Sequence, residues 1–194
     1  MKEKFYIDDY DHQKNSKKAK KNRKVTLNLI NKYLGGLFGT VLDVGKRNYF
    51  TKLLEGKYWI NLIDHKIDST EGDLDLVFNC PRKDYNFVHY NNVIEHQYNP
   101  LFTLLEIKKR MRLNGILILG TPLKPNWMTF SSCHFHEFNK YQYYSLLDRA
   151  GFVEVAKTHY CHEFGLGIRK LIGGFYNRQV VSILKVKADI EQRE

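Results

Sequence analysis

Residues 40–45, TVLDVG, form a short apolar run that holds one acid and ends in glycine. Such a run is typical of a strand buried on both faces, as the strands of a parallel sheet are. Residues 57–64, KYWINLID, repeat the pattern and also end in an acid. Because a carboxylate inside an apolar strand is costly without partners, Asp43 is predicted to face a ligand; the alternative is a structural cap on nearby backbone amides. Asp64 ends the second strand, where ligands of such sheets bind.

Outward from these two strands, apolar blocks with helical and strand periods alternate along the chain. Helices are predicted at 25–34, 50–55, 100–112 and 140–150, a short apolar piece lies at 74–78, and further strands are predicted at 87–90, 116–120, 152–158 and 179–186. Gly35 and Gly151 follow the first and last of these helices and are predicted to end them. Strands that alternate with helices predict an α/β fold in which helices cover both faces of a mostly parallel sheet.

Length and composition fit one globular domain. The chain has 194 residues, 43% of them hydrophobic, which is within the roughly 100–200 residues usual for a single domain. Its three cysteines are too few, and odd in number, for a disulfide framework. No apolar run reaches the roughly 18 residues of a membrane span, and the charged N-terminal residues MKEKFYIDDYDHQ are unlike a secretory signal. We therefore expect a cytoplasmic protein.

Much of the net charge of +10 is concentrated in one segment. Lys14–Lys24, KNSKKAKKNRK, holds seven basic residues and no acid. This basic arm is a candidate for binding nucleic acid or another polyanion, and the alternative is a solvated, partly helical arm. The charge pattern predicts a basic arm at 1–24, a folded domain at 25–188 and a tail at 189–194.

Five segments in order resemble class I S-adenosylmethionine-dependent methyltransferases of the small-molecule type. The first is VLDVG at 41–45, which resembles the opening of the cofactor loop, and the second is Asp64 after the next strand. The others are YNFVHYNNVIEH, LLEIKKRMRLNGILILGTP and HFHEFNKYQYYSLLDRAGFVEV, at 85–96, 104–122 and 134–155. The resemblance implies a Rossmann-like three-layer sandwich whose last strand is antiparallel.

The same resemblance implies S-adenosylmethionine as the cofactor and a small-molecule acceptor with an oxygen or nitrogen nucleophile. The implied cofactor-binding residues are Asp43, Gly45, Asp64, Asp73, Leu74, Tyr90 and Asn91. A base for the acceptor is sought among His96, His134 and His136; the alternatives are a packing pair at Glu95-His96 and ordinary surface histidines at 134 and 136. The implied set contains no metal ligand.

The sequence departs from the family pattern at two places in the N-terminal half, which is expected to bind the cofactor. Arg47 and Tyr49 stand where the family has two further glycines, and neither side chain gives a ligand the close backbone approach that glycine does. Arg47 is instead a candidate to bind the carboxylate of the donor. The segment between Asp64 and Asp73 is shorter than the dozen or so residues of a crossover connection, which predicts a trimmed N-terminal half.

Three other hypotheses stay open at the level of sequence. The first is a non-catalytic binding module that keeps the fold. The second is a nucleic-acid methyltransferase that uses the basic arm, although Asn91-Asn92-Val93-Ile94 replaces the Asp/Asn-Pro-Pro-aromatic signature of many base methylators. The third is a zinc site shared by Cys133–Glu137 and His159–Glu163, for which the pairwise ligand spacing of common zinc motifs is absent.

Overall fold

The computed structural model describes residues 17–35, 39–45, 60–63, 84–124, 134–161 and 178–187. Its helices are α1 (Lys17–Leu34), α2 (Pro100–Arg110) and α3 (Lys140–Ala150), with a short 3₁₀ helix at Ile94–His96. Its strands are β1 (Val41–Val44), β2 (Ile60–Ile63), β3 (Tyr85–Asn91), β4 (Met111–Leu123), β5 (Phe152–Cys161) and β6 (Arg178–Val186). Four predicted cofactor-binding residues lie outside the described residues: Arg47, Asp64, Asp73 and Leu74. The short segment between Asp64 and Asp73 lies outside them as well.

The six strands form one sheet in the order β2-β1-β3-β4-β6-β5. β1 pairs in parallel with β2 and β3, and β3 pairs in parallel with β4. β6 lies between β4 and β5 and is antiparallel to both. The prediction of a mostly parallel sheet with an antiparallel last strand is therefore confirmed.

Helices cover both faces of the sheet, as predicted. On one face, α2 and α3 pack on an apolar cluster that includes Leu42, Val44 and Tyr90. On the other face, Leu29 and Ile30 of α1 pack on Val41 and its neighbours in the sheet. Successive residues of β1 belong to opposite clusters, because neighbouring side chains of a strand point to opposite faces. The sheet is the middle layer of a three-layer sandwich.

Two elements begin well before their predicted starts. α1 begins at Lys17 rather than at Val25, because lysine, alanine and arginine are good helix formers and continue the helix into the basic arm. β4 begins at Met111 rather than at Ile116, and its register with β3 shifts across the predicted Asn-Gly turn. Asn114 has a positive φ of 65°, so the predicted turn is a bulge within the strand. No helix in the described part of the chain is long and apolar enough to cross a membrane.

α3 begins and ends where the sequence predicts. Asn139 caps the first turn: its side chain accepts a hydrogen bond from the Gln142 amide, and the Gln142 side chain accepts one from the Asn139 amide. Gly151 ends the helix in a left-handed conformation with a φ of 76°, which glycine adopts without strain. The capping box fixes where α3 starts, and hence where the preceding loop ends.

Replacement of Asn139 by alanine is expected to lower the free energy of unfolding by about 1 kcal/mol, because the Gln142 amide of the first turn loses the side-chain oxygen to which it donates. Urea unfolding followed by circular dichroism measures the change. Lys140→Ala, an exposed change at the next residue, is the control and is expected to stay within about 0.5 kcal/mol of the wild type. Equal losses in the two variants would contradict the capping role.

Candidate functional site

Asp43 and His89 form a buried pair on neighbouring parallel strands. Asp43 of β1 and His89 of β3 are register partners, and their Oδ1 and Nδ1 atoms lie 2.7 Å apart. Asp43 is 3% exposed, so its carboxylate needs such a partner. The partner is a side chain of the next strand, which neither sequence interpretation of Asp43 named. Its predicted contact with a cofactor stays a prediction.

Gly45 ends β1 in a conformation that side chains rarely adopt, with a φ of 125°. A Cβ atom at this position would lie 2.8 Å from Cγ2 of Val93. Glycine therefore lets the end of β1 lie directly against Val93, which leads from β3 into the 3₁₀ helix. The carboxyl end of β1 is predicted to bind the donor. The contact with Val93 therefore places this end beside the segment that contains Glu95 and His96.

Amide side chains cluster where β3, β4 and β6 meet at the same edge of the sheet. Gln179 Nε2 donates to Asn91 Oδ1 at 3.3 Å and also to Asn92 Oδ1. Asn91 lies over Gly120, where a Cβ atom would come within 1.6 Å of Asn91 Oδ1. The Asn91 side chain thus has a defined position at the carboxyl end of β3, and its predicted role toward a cofactor stays a prediction.

Tyr90, the other residue predicted beside the donor, is fully buried in the apolar cluster under α2 and α3. It is the parallel register partner of Val44 and Leu119. Its ring therefore packs in the core, and its predicted contact with the donor stays a prediction.

Glu95 is a buried carboxylate in the 3₁₀ helix and is 2% exposed. Its Oε2 atom accepts a hydrogen bond from the Thr121 hydroxyl at 3.1 Å. Burial raises the pKa of Glu95 from 4.5 to about 7, because the charged form loses its hydration. Its backbone carbonyl accepts hydrogen bonds from the amides of Phe135 and His136, which ties the His-rich loop to the 3₁₀ helix.

His96 and His134 meet beside this carboxylate. Their rings lie edge to face, with centroids 4.8 Å apart. Nδ1 of His134 is 3.1 Å from Oε1 of Glu137, and the same oxygen accepts a hydrogen bond from Lys124 Nζ at 2.7 Å. Burial lowers the pKa of His134 below its ordinary value, although the Glu137 carboxylate opposes this. The neutral form of His134 is therefore favoured, with one ring nitrogen directed to Glu137.

His136 stands apart from that pair. Its ring stacks on Phe138 at 5.7 Å, and its Nε2 lies 3.3 Å from the Tyr98 carbonyl, to which it donates. The rings of Tyr98 and Phe135 lie 4.5 Å apart, and both residues are about half exposed, at 51% and 44%. Tyr98, Phe135 and His136 form an exposed aromatic patch. The structure thus brings two of the three predicted histidines together and places the third at this patch.

Several residues of this site were not among the predicted site residues. Glu137 lies in the quoted His-rich loop, and Glu95 is the neighbour of a predicted catalytic histidine, so both had a sequence signal. His89, Thr121 and Lys124 had none, because their partners are distant in the sequence. Cys133, His162 and Glu163 of the open zinc hypothesis lie outside the described residues.

No protein-family model matches the sequence, and no curated protein matches it either. Solved structures do match in shape. One is the 1,6-didemethyltoxoflavin-N1-methyltransferase of Burkholderia thailandensis, with bound 1,6-didemethyltoxoflavin and S-adenosylhomocysteine; it is 16% identical with a TM-score of 0.64, over 93% of this chain and 84% of that one. Another is a SAM-dependent methyltransferase of Leishmania major, 12% identical with a TM-score of 0.60, over 84% and 72% of the two chains.

The protein has the class I methyltransferase fold. The cyclase SpnF has a similar structure, with 10% identity and a TM-score of 0.58 over 84% of this chain and 79% of that one. Because proteins of this shape include a cyclase, the fold alone does not assign the reaction. The assignment must come from the residues at the carboxyl edge of the sheet.

The raised pKa of Glu95 predicts a pH-dependent stability. Between pH 4.5 and about 7 the Glu95 carboxyl keeps its proton in the native state and loses it in the unfolded state. The free energy of unfolding therefore falls as the pH rises through this window. At about 1.4 kcal/mol per pH unit, the contribution of Glu95 to this fall reaches about 3 kcal/mol.

Glu95→Gln removes the fall, because glutamine does not titrate. Urea unfolding between pH 4.5 and 8 in the presence of a chelator, on the wild type and the variant, measures the difference. Asp148→Asn, which changes an exposed carboxylate on α3, is the control and should follow the wild type. Parallel pH profiles for wild type and Glu95→Gln would show that the carboxyl is not perturbed.

Proposed function

We propose that this protein transfers a methyl group from S-adenosylmethionine to an oxygen or nitrogen atom of a small-molecule acceptor. The observation that carries the proposal is the contact between Gly45 and Val93. It sets the end of β1 beside the start of the segment with Glu95 and His96. The contact lies at the carboxyl ends of parallel strands, where ligands of open α/β sheets bind.

The donor side of the proposed site combines described and sequence-predicted residues. Gly45 gives the backbone turn that close approach of the methionine part of the donor requires, and Asn91 lies at the end of the adjacent strand. Asp64, Asp73, Leu74 and Arg47 are the residues we expect to complete this side, through the ribose hydroxyls, the adenine and the donor carboxylate. The bound cofactor supplies an electrophilic methyl on a sulfonium, and the chain's task is to hold the acceptor in line with it.

The acceptor side is supported by the histidines and the aromatic patch. An oxygen or nitrogen nucleophile that carries a proton needs a base within hydrogen-bond reach, and His96, His134 and His136 are the candidates. Tyr98 and Phe135 expose apolar rings next to His136. Exposed aromatic rings next to polar groups suit a flat organic acceptor. A cytoplasmic location remains the expectation for such an enzyme.

Isothermal titration calorimetry with S-adenosylhomocysteine tests the donor side without knowledge of the acceptor. We expect the wild type to bind, and Gly45→Ala to bind at least about ten-fold more weakly, since a methyl at this position strains the backbone and displaces Val93. Gly35→Ala is the matched control: it also places alanine at a positive φ, but no atom lies within 4 Å of its Cβ. This variant should lose stability and keep wild-type affinity.

Two results would contradict the proposal. Absence of heat for both S-adenosylmethionine and S-adenosylhomocysteine at millimolar concentration would favour the non-catalytic binding module. Equal affinities for the wild type and Gly45→Ala would remove the end of β1 from the donor site.

A gel shift separates the small-molecule acceptor from a nucleic-acid acceptor. We expect no shift of duplex DNA or of RNA at physiological salt, and no difference for a variant with glutamine in place of Lys17, Lys18, Lys20 and Lys21. Glutamine keeps the helix propensity of this segment and removes its charge. A shift that the wild type shows and the variant loses would favour the nucleic-acid methyltransferase.

A further inference from the structure

Three side chains near the end of β3 offer metal-ligand atoms close together. These are the carboxylate of Glu95 and the imidazoles of His96 and His134, whose candidate ligand atoms all lie within 4.8 Å of one another. Glu95 is buried and both histidines are half-buried. They are the only such group among the residues that the structure describes.

We propose that Glu95, His96 and His134 bind one divalent transition-metal ion. Two imidazoles and one carboxylate are a common ligand set for zinc with an open fourth position, and the same set binds iron(II) with open positions. This site differs from the zinc site considered from the sequence, with which it shares only His134.

Hydrogen bonds behind the proposed ligands support this assignment. Glu137 accepts from Nδ1 of His134, which leaves Nε2 as the ring nitrogen that can bind a metal. Histidines that bind metals almost always donate their other ring nitrogen to a carboxylate, carbonyl or water in this way. Lys124 pairs with the same carboxylate of Glu137 and balances its charge. Thr121 likewise orients the Glu95 carboxylate through Oε2.

Charge also favours a cation at this point. The Glu95 carboxylate is buried, and its side-chain partner is the neutral hydroxyl of Thr121. Burial of a carboxylate is costly unless a cation or several donors compensate. A divalent ion between Glu95 and the two imidazoles would supply that compensation.

The ligand atoms lie somewhat farther apart than in a bound site. Bonds of about 2.0–2.2 Å at the tetrahedral angle hold two ligand atoms of one ion about 3.3–3.6 Å apart. The three groups, whose ligand atoms lie within 4.8 Å of one another, therefore need to approach by up to about 1.5 Å. Because the Glu95 carboxylate is held by Thr121, we expect the half-buried rings of His96 and His134 to make this adjustment.

The role of the ion rests on the proposed function, whereas metal binding itself does not. An open coordination position would hold the oxygen or nitrogen of the acceptor at the same edge of the sheet as Gly45. With His96 and His134 engaged as ligands, His136 is the histidine that remains to take a proton. Its Nε2 donates to the Tyr98 carbonyl, which leaves Nδ1 as the basic nitrogen.

Titration of the chelator-treated, full-length protein with Co²⁺, followed by visible absorption, tests the site, and calorimetry with Zn²⁺ measures its affinity. We expect one equivalent of Co²⁺ to give the intense bands of a four- or five-coordinate ion. His134→Ala and Glu95→Gln should each lower the affinity at least about ten-fold, and Glu137→Gln about ten-fold, as second-shell changes do. His159→Ala, at an exposed histidine of β5, is the matched control and should bind like the wild type.

Thermal unfolding without metal checks that each variant folds, and His134→Asn is the second variant if His134→Ala does not. Absence of the bands in the folded wild type would overturn the proposal, as would equal affinities for the wild type, Glu95→Gln and the folded His134 variant. The S-adenosylhomocysteine titration is performed separately on metal-free protein. Failure of donor binding would therefore overturn the proposed function and leave the metal site in place.

Discussion

Parallel pairing between β1 and β3 sets the position of the groups that the proposed reaction uses. The register that places Asp43 beside His89 also brings Gly45 against Val93. From Val93 the chain turns at once into the 3₁₀ helix with Glu95 and His96. The Glu95 carbonyl then holds the loop that contains His134 and His136. A shift of one residue in this register would turn Asp43 to the other face of the sheet and separate these groups.

The two buried carboxylates near this edge of the sheet differ in how their burial is compensated. Asp43 and Glu95 are buried carboxylates, and each lowers stability unless a partner compensates. Asp43 has His89 on the adjacent strand. The Glu95 carboxylate accepts hydrogen bonds from the Thr121 hydroxyl and from its own backbone amide, and these do not offset its burial, so its pKa is raised. Such perturbed groups in the loops at one edge of a rigid sheet are typical of functional sites.

Local signals predicted the fold well, because each acts within a few residues. The apolar run before Gly45 predicted β1, and Gly151 predicted the end of α3. The predicted start of α1 at Val25 was wrong. A run of lysines indicates a charged, solvated arm, but lysine also favours the helical conformation. Contacts between distant residues were not predictable: His89 lies 46 residues from Asp43, and Thr121 lies 26 residues from Glu95. The histidines were predicted by type, but their grouping into a pair and a separate residue depends on how the loop is held.

A crystal structure of the protein grown with S-adenosylhomocysteine examines the central claim most directly. The proposal predicts electron density for the ligand at the carboxyl ends of β1 and β2, with the homocysteine part beside Gly45 and its sulfur facing His96 and His134. Side chains of Arg47 and Tyr49 that fill this space, with no ligand bound at saturating concentration, would contradict it. The protein would then share the architecture of the methyltransferases without their reaction.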